Sequence, residues 1–285
     1  MLKKKLVSLT IKLLFTAVAL YLVSNKIDIQ KTKTIFSSIN YYWLLLGFIA
    51  FTLSRVVGAL RLNLYFLQIG LKLSQILNLK LYYLGMFYNL FLPGGIGGDG
   101  YKIFFLHKYY QIKKVPLLKA TVLDRISGLF ALIFLAGLFL SMSSFVSMLK
   151  LNALWPIIAA LMMFPISYLF TLKFFKLFMP IFIVSTFFAL LLQILQLLSA
   201  LFILYSFGEN SHIYDYLTIF LISSVVAVLP ISIGGIGARE LTFVYLLSFL
   251  KQDYNMGIAL SVMFFMLTFV SSLWGVLYMH MKPTD

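Results

Sequence analysis

The amino-acid sequence predicts an all-α integral membrane protein with two inverted repeats, about six spanning helices and two re-entrant helical hairpins. Of its 285 residues, 62% are hydrophobic and 11% are charged, against roughly a quarter charged in an ordinary soluble domain. Four runs without Asp, Glu, Lys or Arg reach the length of about 20 residues that spans a bilayer: 126–149, 151–172, 177–208 and 254–281. A Gly-Gly-Ile-Gly sequence also occurs twice, which indicates a duplication within one polytopic domain, 1–285.

Six segments are predicted as spanning helices, because at about 1.5 Å per residue each can cross a hydrocarbon core of about 30 Å. They lie near 6–24, 41–69, 117–146, 151–172, 177–207 and 256–281. The first begins with Lys3, Lys4 and Lys5 ahead of an apolar stretch, as a signal peptide does, but no small-residue cleavage site follows. It is therefore predicted to remain as an uncleaved first helix.

Two further segments, 75–110 and 214–251, are each predicted as a re-entrant hairpin. Each has two apolar arms interrupted by a glycine-rich turn, at 93–98 (Pro-Gly-Gly-Ile-Gly-Gly) and 234–237 (Gly-Gly-Ile-Gly). Glycine loses much backbone entropy in a helix and proline lacks the amide donor, so the arms cannot form one continuous helix.

The spacing of these elements predicts the two repeats, about 1–146 and 151–281. Gly-Gly-Ile-Gly begins at Gly94 and again at Gly234, 140 residues later, and the helices starting at 41 and 117 recur with nearly the same offset. A unit with a re-entrant hairpin crosses the bilayer three times, so the second copy would be inverted.

Loop charges support this inversion through the positive-inside rule. Most connecting lysines fall on one side of the predicted topology, whereas Glu209, Asp215 and Asp253 fall on the other. Lysines in the first outer loop are the exception: Lys26, Lys31 and Lys33. We expect a multi-pass protein of the cell (inner or cytoplasmic) membrane with both termini in the cytoplasm.

Several functional classes have little support in the sequence. The net charge of +15 is spread over short connections rather than one soluble module, so nucleic acid is not an expected partner. The chain has no cysteine, and its three histidines lack metal-ligand spacing, so no metal or other cofactor is predicted. The match at Gly95, Gly97 and Gly100 to a dinucleotide-binding fingerprint lacks the required strand and acidic residue.

The hairpin turns are the first candidate site. Backbone at a helix break within the membrane must be buried in protein or line a wet cavity. The free amides where a second arm begins carry the positive end of the helix dipole and suit an anion such as a phosphate. On this reasoning the candidate headgroup-binding glycines are Gly95, Gly97, Gly98, Gly235 and Gly237. The alternative is that these glycines only allow a tight turn and close packing.

Two arginines are further candidates for binding a headgroup. Arg55 lies about 14 residues inside its helix, near the bilayer centre, where a charge costs at least ~2.5 kcal/mol and faces a partner or a cavity. Arg239 lies in the first turn of a hairpin arm, where the helix dipole disfavours a cation unless a carboxylate or an anionic ligand offsets it. Arg61 is nearer the cytoplasmic end and could equally well snorkel.

The remaining membrane charges are predicted to form the pathway or to pair across helices. Asp124 and Arg125 are adjacent on a helix and point about 100° apart, so each needs another partner. We predict that Asp124 pairs with Arg61, or Arg125 with Asp99. Such an ion pair would either link two helices structurally or contact the substrate. Asp99 and Glu240 also suit a helix N-terminus. No nucleophile and base can be matched, so an intramembrane enzyme acting on lipid phosphates is disfavoured.

Three motifs resemble one known family: Leu-Pro-Gly-Gly-Ile-Gly-Gly-Asp at 92–99, Val-Leu-Asp-Arg-Ile-Ser-Gly at 122–128, and Leu-Pro-Ile-Ser-Ile-Gly-Gly-Ile-Gly-Ala-Arg-Glu at 229–240. Together with Gly-Ala-Leu-Arg at 58–61, they are similar to the lysylphosphatidylglycerol synthase transmembrane (flippase-like) family over nearly the whole chain. The resemblance implies a membrane module of inverted repeats that moves lipids between leaflets. Full-length aminoacyl-phosphatidylglycerol synthases carry a soluble catalytic domain after this region, whereas the sequence stops at Asp285, so lipid aminoacylation is not expected.

The first functional hypothesis is therefore a flippase or scramblase for an anionic membrane phospholipid or a polyprenyl-phosphate lipid. In this hypothesis Arg55, Arg239 and the hairpin N-termini bind the headgroup, while Asp99, Asp124 and Glu240 set its pathway. The alternative is a non-transporting partner that scaffolds an envelope biosynthesis enzyme. That alternative predicts that neutralising either arginine leaves function intact.

Overall fold

The computed structural model describes residues 21–24, 26, 28–91, 97–228, 235 and 237–280. Within these ranges the chain is helical and contains no strand. From residue 28 onward, the described ranges contain eleven α-helices: α1 Ile29–Ser37, α2 Tyr41–Gln68, α3 Gln75–Phe91, α4 Gly97–Tyr110, α5 Lys114–Ser141, α6 Ser144–Met148, α7 Leu154–Phe174, α8 Phe182–Ser206, α9 Ile213–Val228, α10 Ala238–Phe249 and α11 Tyr254–Leu273. Short 3₁₀ segments precede α8 at Lys176–Ile181 and follow α11 at Trp274–Tyr278.

Five helical segments of the described chain are long and apolar enough to cross a membrane. They are Tyr41–Gln68, Lys114–Ser141, Leu154–Phe174, Lys176–Ser206 and Tyr254–Tyr278. They match five of the six predicted spanning helices within a few residues. The sixth prediction, 6–24, lies outside the described residues except for 21–24, which are helical. The protein is thus an all-α, multi-pass membrane protein.

Two helices, α1 and α6, begin where the sequence does not predict a helix start, and the first turn of each is capped. The predicted helix 117–146 ends at Ser141, and a new helix, α6, begins at Ser144. Asp215 of α9 accepts hydrogen bonds from the backbone N–H and the hydroxyl of Ser144 at 2.6 and 2.7 Å. Residues 29–37, predicted as part of an outer loop, form α1, whose first amides at Gln30 and Lys31 donate to the Asp28 carboxylate. Both helices start where a carboxylate satisfies free amides.

The two predicted hairpins are present as helix pairs on either side of their glycine-rich turns. Hairpin 1 is α3 with α4, and hairpin 2 is α9 with α10. Hairpin 1 also packs against α11 and the 3₁₀ segment after it, while hairpin 2 packs against α5. Close backbone contact supports the first of these interfaces, because a Cβ on Gly275 would lie 2.4 Å from the carbonyl oxygen of Tyr83.

Helices α2 and α8 form the most extensive interface and the centre of the bundle. The Ser199 hydroxyl donates to the Gly47 carbonyl at 2.8 Å across this interface. Corresponding helices of the two halves start at offsets of 141 for α2 and α8, 138 for α3 and α9, 141 for α4 and α10, and 140 for α5 and α11. These offsets agree with the predicted spacing, and the inverted-repeat arrangement itself stays a prediction.

Candidate functional site

Two adjacent polar cavities lie in the centre of the bundle. The arginine cavity, of about 310 Å³, is lined by Arg55, Arg239, Glu240, Ser224, Gly235 and Thr268, among others. The ion-pair cavity, of about 260 Å³, is lined by Arg61, Asp99, Lys102, Asp124 and Arg125, among others. Both cavities share Arg55, Gln193 and Gln196. The structure therefore brings charged residues of both halves of the chain to one place.

Arg55 occupies the boundary between the cavities, projecting from the middle of α2. Its guanidinium lies over the Phe51 ring, 4.3 Å from the centroid, and it also interacts with Tyr82. Its Nε is buried without a hydrogen-bond partner among the described residues. No carboxylate oxygen in the described part of the chain lies within 4.0 Å of it. Arg55 is thus held in place by aromatic side chains, and no carboxylate of the described residues pairs with it.

Arg239 has a similar environment at the start of α10. Its guanidinium lies 5.1 Å from the Phe264 ring centroid and 5.5 Å from that of Phe220. Its Nη2 donates to the Ser224 hydroxyl at 3.4 Å, and the described residues give it no ion pair. Attraction to Glu240 acts on Arg239 together with repulsion from Arg55. Two cations that repel each other consequently line one cavity.

Glu240 does not neutralise Arg239 by direct contact. One carboxylate oxygen accepts the Gly237 backbone N–H at 2.7 Å, and the other accepts the Ser261 hydroxyl at 2.6 Å. The side chain therefore closes a capping arrangement at the start of α10, the favourable N-terminal carboxylate anticipated from the sequence. Its role in a substrate pathway stays a prediction.

The glycines of hairpin 1 have a strong packing role. The Gly98 N–H donates to the Asn89 side-chain oxygen at 2.8 Å, and a Cβ on Gly98 would lie 1.9 Å from the Gly85 carbonyl oxygen. The two arms are thus in direct backbone contact. Gly97 begins α4, and Gly95 lies outside the described residues.

The amides of Gly98 and Gly237 already donate to protein acceptors, so they are less available to a ligand than expected for free helix N-termini. Gly235, with a φ of +83°, lines the arginine cavity, where a Cβ would approach that of Ala227 at 2.9 Å. For Gly98 and Gly237, turn formation and packing account for the observed contacts. The headgroup-binding role of the hairpin glycines stays a prediction, and the charged side chains beside them line the cavities.

Both ion pairs predicted across the helices are present. Arg61 Nε lies 2.7 Å from Asp124 Oδ1, and Arg61 Nη2 donates to the Asp124 carbonyl at 3.0 Å. Asp99 pairs with Arg125 and, at 3.2 Å, with Lys102. Arg61 is buried and paired with Asp124, so its side chain does not snorkel to the membrane surface. Its Nη1 is buried without a hydrogen-bond partner among the described residues.

Sequence reasoning missed several residues that line the cavities. Lys102 follows Asp99 by three positions, the spacing of an intrahelical ion pair. Gln193 and Gln196, also three positions apart, are amides within an otherwise charge-free predicted span. The Gln193 amide donates to the Gly128 carbonyl at 3.2 Å. A search for polar pairs on one face of the apolar helices would have found all three.

Metal chemistry receives no support from the ranges that the structure describes. No group of three or more His, Cys, Asp or Glu side chains there is arranged to hold an ion. The charged residues instead form an electrostatic lining, with cations outnumbering carboxylates.

One comparison with known proteins identifies the family of this chain. A family model described as the lysylphosphatidylglycerol synthase TM region matches residues 9–275. The comparison with curated proteins gives no match. Since the family model covers nearly the whole sequence, including both hairpins, four spanning segments in full and most of the fifth, the chain belongs to the lysylphosphatidylglycerol synthase transmembrane-region family.

Proposed function

We propose that the protein is a flippase- or scramblase-type transporter that moves an anionic phospholipid or a polyprenyl-phosphate-linked lipid between leaflets. One observation carries the proposal: Arg55 and Arg239 line a single cavity, and neither has an ion-pair partner among the described residues. Burying a cation without a partner costs several kcal/mol. An anionic headgroup entering the cavity would offset that cost for both arginines.

The position of this cavity suits a transporter. It is bordered by hairpin 2 through Ser224 and Arg239, while the neighbouring cavity is bordered by hairpin 1 through Asp99 and Lys102. In the proposed mechanism, the hairpins alternately open this central region to opposite faces of the membrane. The lipid tails stay in the bilayer while the headgroup passes the shared residues Arg55, Gln193 and Gln196.

Family membership supports a role connected with membrane lipids, and the family model describes a transmembrane region. We therefore propose that this chain acts without catalysis, in the inner (cytoplasmic) membrane, with both termini in the cytoplasm. The proposed substrate is a lipid of this membrane.

Transport by arginine variants tests the proposal. We expect purified wild-type protein in proteoliposomes to move fluorescently labelled anionic lipid between leaflets. Arg55→Ala or Arg239→Ala should slow this movement at least about tenfold, because each removes a buried partner for the headgroup worth more than ~1.4 kcal/mol. The measurement is the rate at which the label becomes accessible to a membrane-impermeant quencher.

Lys119→Ala is the matched control, since it removes one positive charge from an exposed position outside both cavities. It should transport at the wild-type rate. If the wild type moves no anionic lipid, or if both arginine variants move it as fast as the control does, the transport proposal fails and a scaffolding role is favoured.

Cysteine labelling tests the predicted inversion, and the natural chain offers a cysteine-free background. Gln111 lies exposed after hairpin 1, and Lys251 lies exposed at the equivalent position after hairpin 2. We expect Gln111→Cys to react with an impermeant maleimide only from the cytoplasmic side, and Lys251→Cys only from the opposite side. Labelling of both positions from one side would contradict the inverted repeats.

A further inference from the structure

The charges that line the two central cavities do not balance. Counted over the described residues, five cationic side chains line them: Arg55, Arg61, Lys102, Arg125 and Arg239. Three carboxylates line them: Asp99, Asp124 and Glu240. Five positive against three negative charges leave an excess of two. The hairpin-turn sequences 92–96 and 229–234 contain no charged residue that would alter this count.

The excess is divided between the two cavities. Arg61 and Asp124 compensate each other as an ion pair. Asp99 is shared by Lys102 and Arg125, which leaves that group with one positive charge. The arginine cavity is lined by two cations, Arg55 and Arg239, and by one carboxylate, Glu240, so its net charge includes one further positive charge. A ligand held between the cavities would therefore meet one uncompensated positive charge on each side.

Two buried N–H donors without a hydrogen-bond partner among the described residues could bind phosphate oxygens. Arg55 Nε and Arg61 Nη1 are buried, and neither has a hydrogen-bond partner among the described residues. Both side chains line the ion-pair cavity. Guanidinium groups form short, charge-assisted hydrogen bonds with phosphate oxygens, so these donors suit a group with several anionic oxygens.

The same lining is unsuited to an ammonium group. Asp99 and Asp124 are paired with cations, and both oxygens of Glu240 accept hydrogen bonds from Gly237 and Ser261. No carboxylate lining the described cavities is left without a donor. The aromatic faces of Phe51 and Phe264 are covered by guanidinium groups. A headgroup amine would therefore enter a region of excess positive charge in which every described carboxylate already has a donor.

We infer that the central cavities select a lipid headgroup with about two negative charges and no amine, namely a lipid phosphomonoester or diphosphate. A phosphomonoester carries about 1.5 to 2 negative charges at neutral pH. A phosphodiester headgroup carries one, so it would leave part of the excess uncompensated. This inference rests on the proposed function and narrows it to one class of phosphate chemistry, whether the lipid is a glycerolipid or a polyprenyl phosphate.

Binding of short-chain lipids to the purified full-length protein in a neutral detergent tests the selectivity. The probes are the dihexanoyl forms of phosphatidic acid, phosphatidylglycerol and phosphatidylethanolamine, together with farnesyl phosphate, each titrated by calorimetry at pH 7.5. We expect a phosphomonoester to bind at least about tenfold more tightly than phosphatidylglycerol, because it gains a second charge interaction within the membrane interior. Phosphatidylethanolamine should bind most weakly.

The two monoester probes distinguish the source of the phosphate. Tighter binding of phosphatidic acid would identify a glycerolipid substrate, and tighter binding of farnesyl phosphate would identify a polyprenyl substrate. Either result supports the inference. Phosphatidylglycerol binding as tightly as both monoesters overturns it but leaves anionic lipid transport intact, whereas a lack of both binding and transport of every anionic probe contradicts the proposed function itself.

Charge variants provide the second test. Arg239→Gln lowers the excess from two to one, so the preference for a phosphomonoester over phosphatidylglycerol should fall to within about threefold. Arg239→Lys keeps the charge and should retain most of the preference. If Arg239→Gln discriminates between the two headgroups as strongly as Arg239→Lys, excess charge is not the basis of selection and the inference is wrong.

Discussion

Gly98→Ala is expected to prevent hairpin 1 from forming its native contact between α3 and α4. The new Cβ would lie 1.9 Å from the Gly85 carbonyl oxygen and 2.7 Å from the Gly85 Cα. Since these are backbone atoms, only a displacement of one helix can relieve the overlap, and the hydrogen bond from Gly98 to Asn89 would be lost with it. We expect the free energy of unfolding to fall by about 3 kcal/mol or more, which is the upper end of the range for overpacked cores.

Two measurements test this effect: the Tm in detergent, and size-exclusion chromatography of the purified variant. The Tm of Gly98→Ala should fall by about 10 °C or the variant should fail to accumulate as a monodisperse species. Gly100→Ala is the matched control on the same helix, because no atom of the described residues beyond the local helix backbone lies within 4 Å of its added Cβ. Alanine is favoured over glycine in a helix by roughly 0.5–1 kcal/mol, so the control should be at least as stable as the wild type. Equal Tm values for the two variants would contradict the backbone contact.

The long helices could be predicted from the sequence because hydrocarbon thickness imposes a minimum length on every charge-free span. Their ends were less predictable. The break after Ser141 depends on Asp215, 71 positions from Ser144 in the chain, whose carboxylate caps α6. A contact at that separation leaves no local pattern in the residues around Ser144. The helix at 29–37 was missed because it is amphipathic and short, and so resembles a polar loop.

The charged residues of the site were predictable for a related reason. A charge within a membrane span is costly, so Arg55 and Arg239 stand out, as do the partners of Arg61 and Arg125. Hydrogen bonding of the hairpin amides was not predictable, since Asn89 and Glu240 satisfy Gly98 and Gly237 only in the folded geometry. The sequence identified the charged residues that line the cavities, but it assigned to the backbone amides a proposed anion-binding role that the observed hydrogen bonds support better for the arginine side chains.

Asp124→Asn is expected to destabilise the protein by about 3–5 kcal/mol, the usual effect of removing one partner from a buried ion pair. The Arg61 side chain is 5% exposed, and its Nε donates to the Asp124 carboxylate, so the substitution leaves a buried cation without its negative partner. The Tm in detergent should fall by about 10 °C. Asp28→Asn is the control, because Asp28 is exposed and asparagine also caps helices well; its Tm should change little. A fall in Tm no larger than that of the control would contradict this role for the pair.

A double variant distinguishes a purely structural role of the Arg61–Asp124 ion pair from a role in transport. Arg61→Met with Asp124→Leu replaces both charges by apolar groups, and such replacements often restore most of the stability that a single change removes. The net charge of the cavities is unchanged, but the unused Arg61 Nη1 donor is lost. We therefore expect a Tm near that of the wild type with slower lipid movement in proteoliposomes. A stable double variant that transports at the wild-type rate would assign Arg61 and Asp124 to bracing alone and leave the headgroup to Arg55 and Arg239.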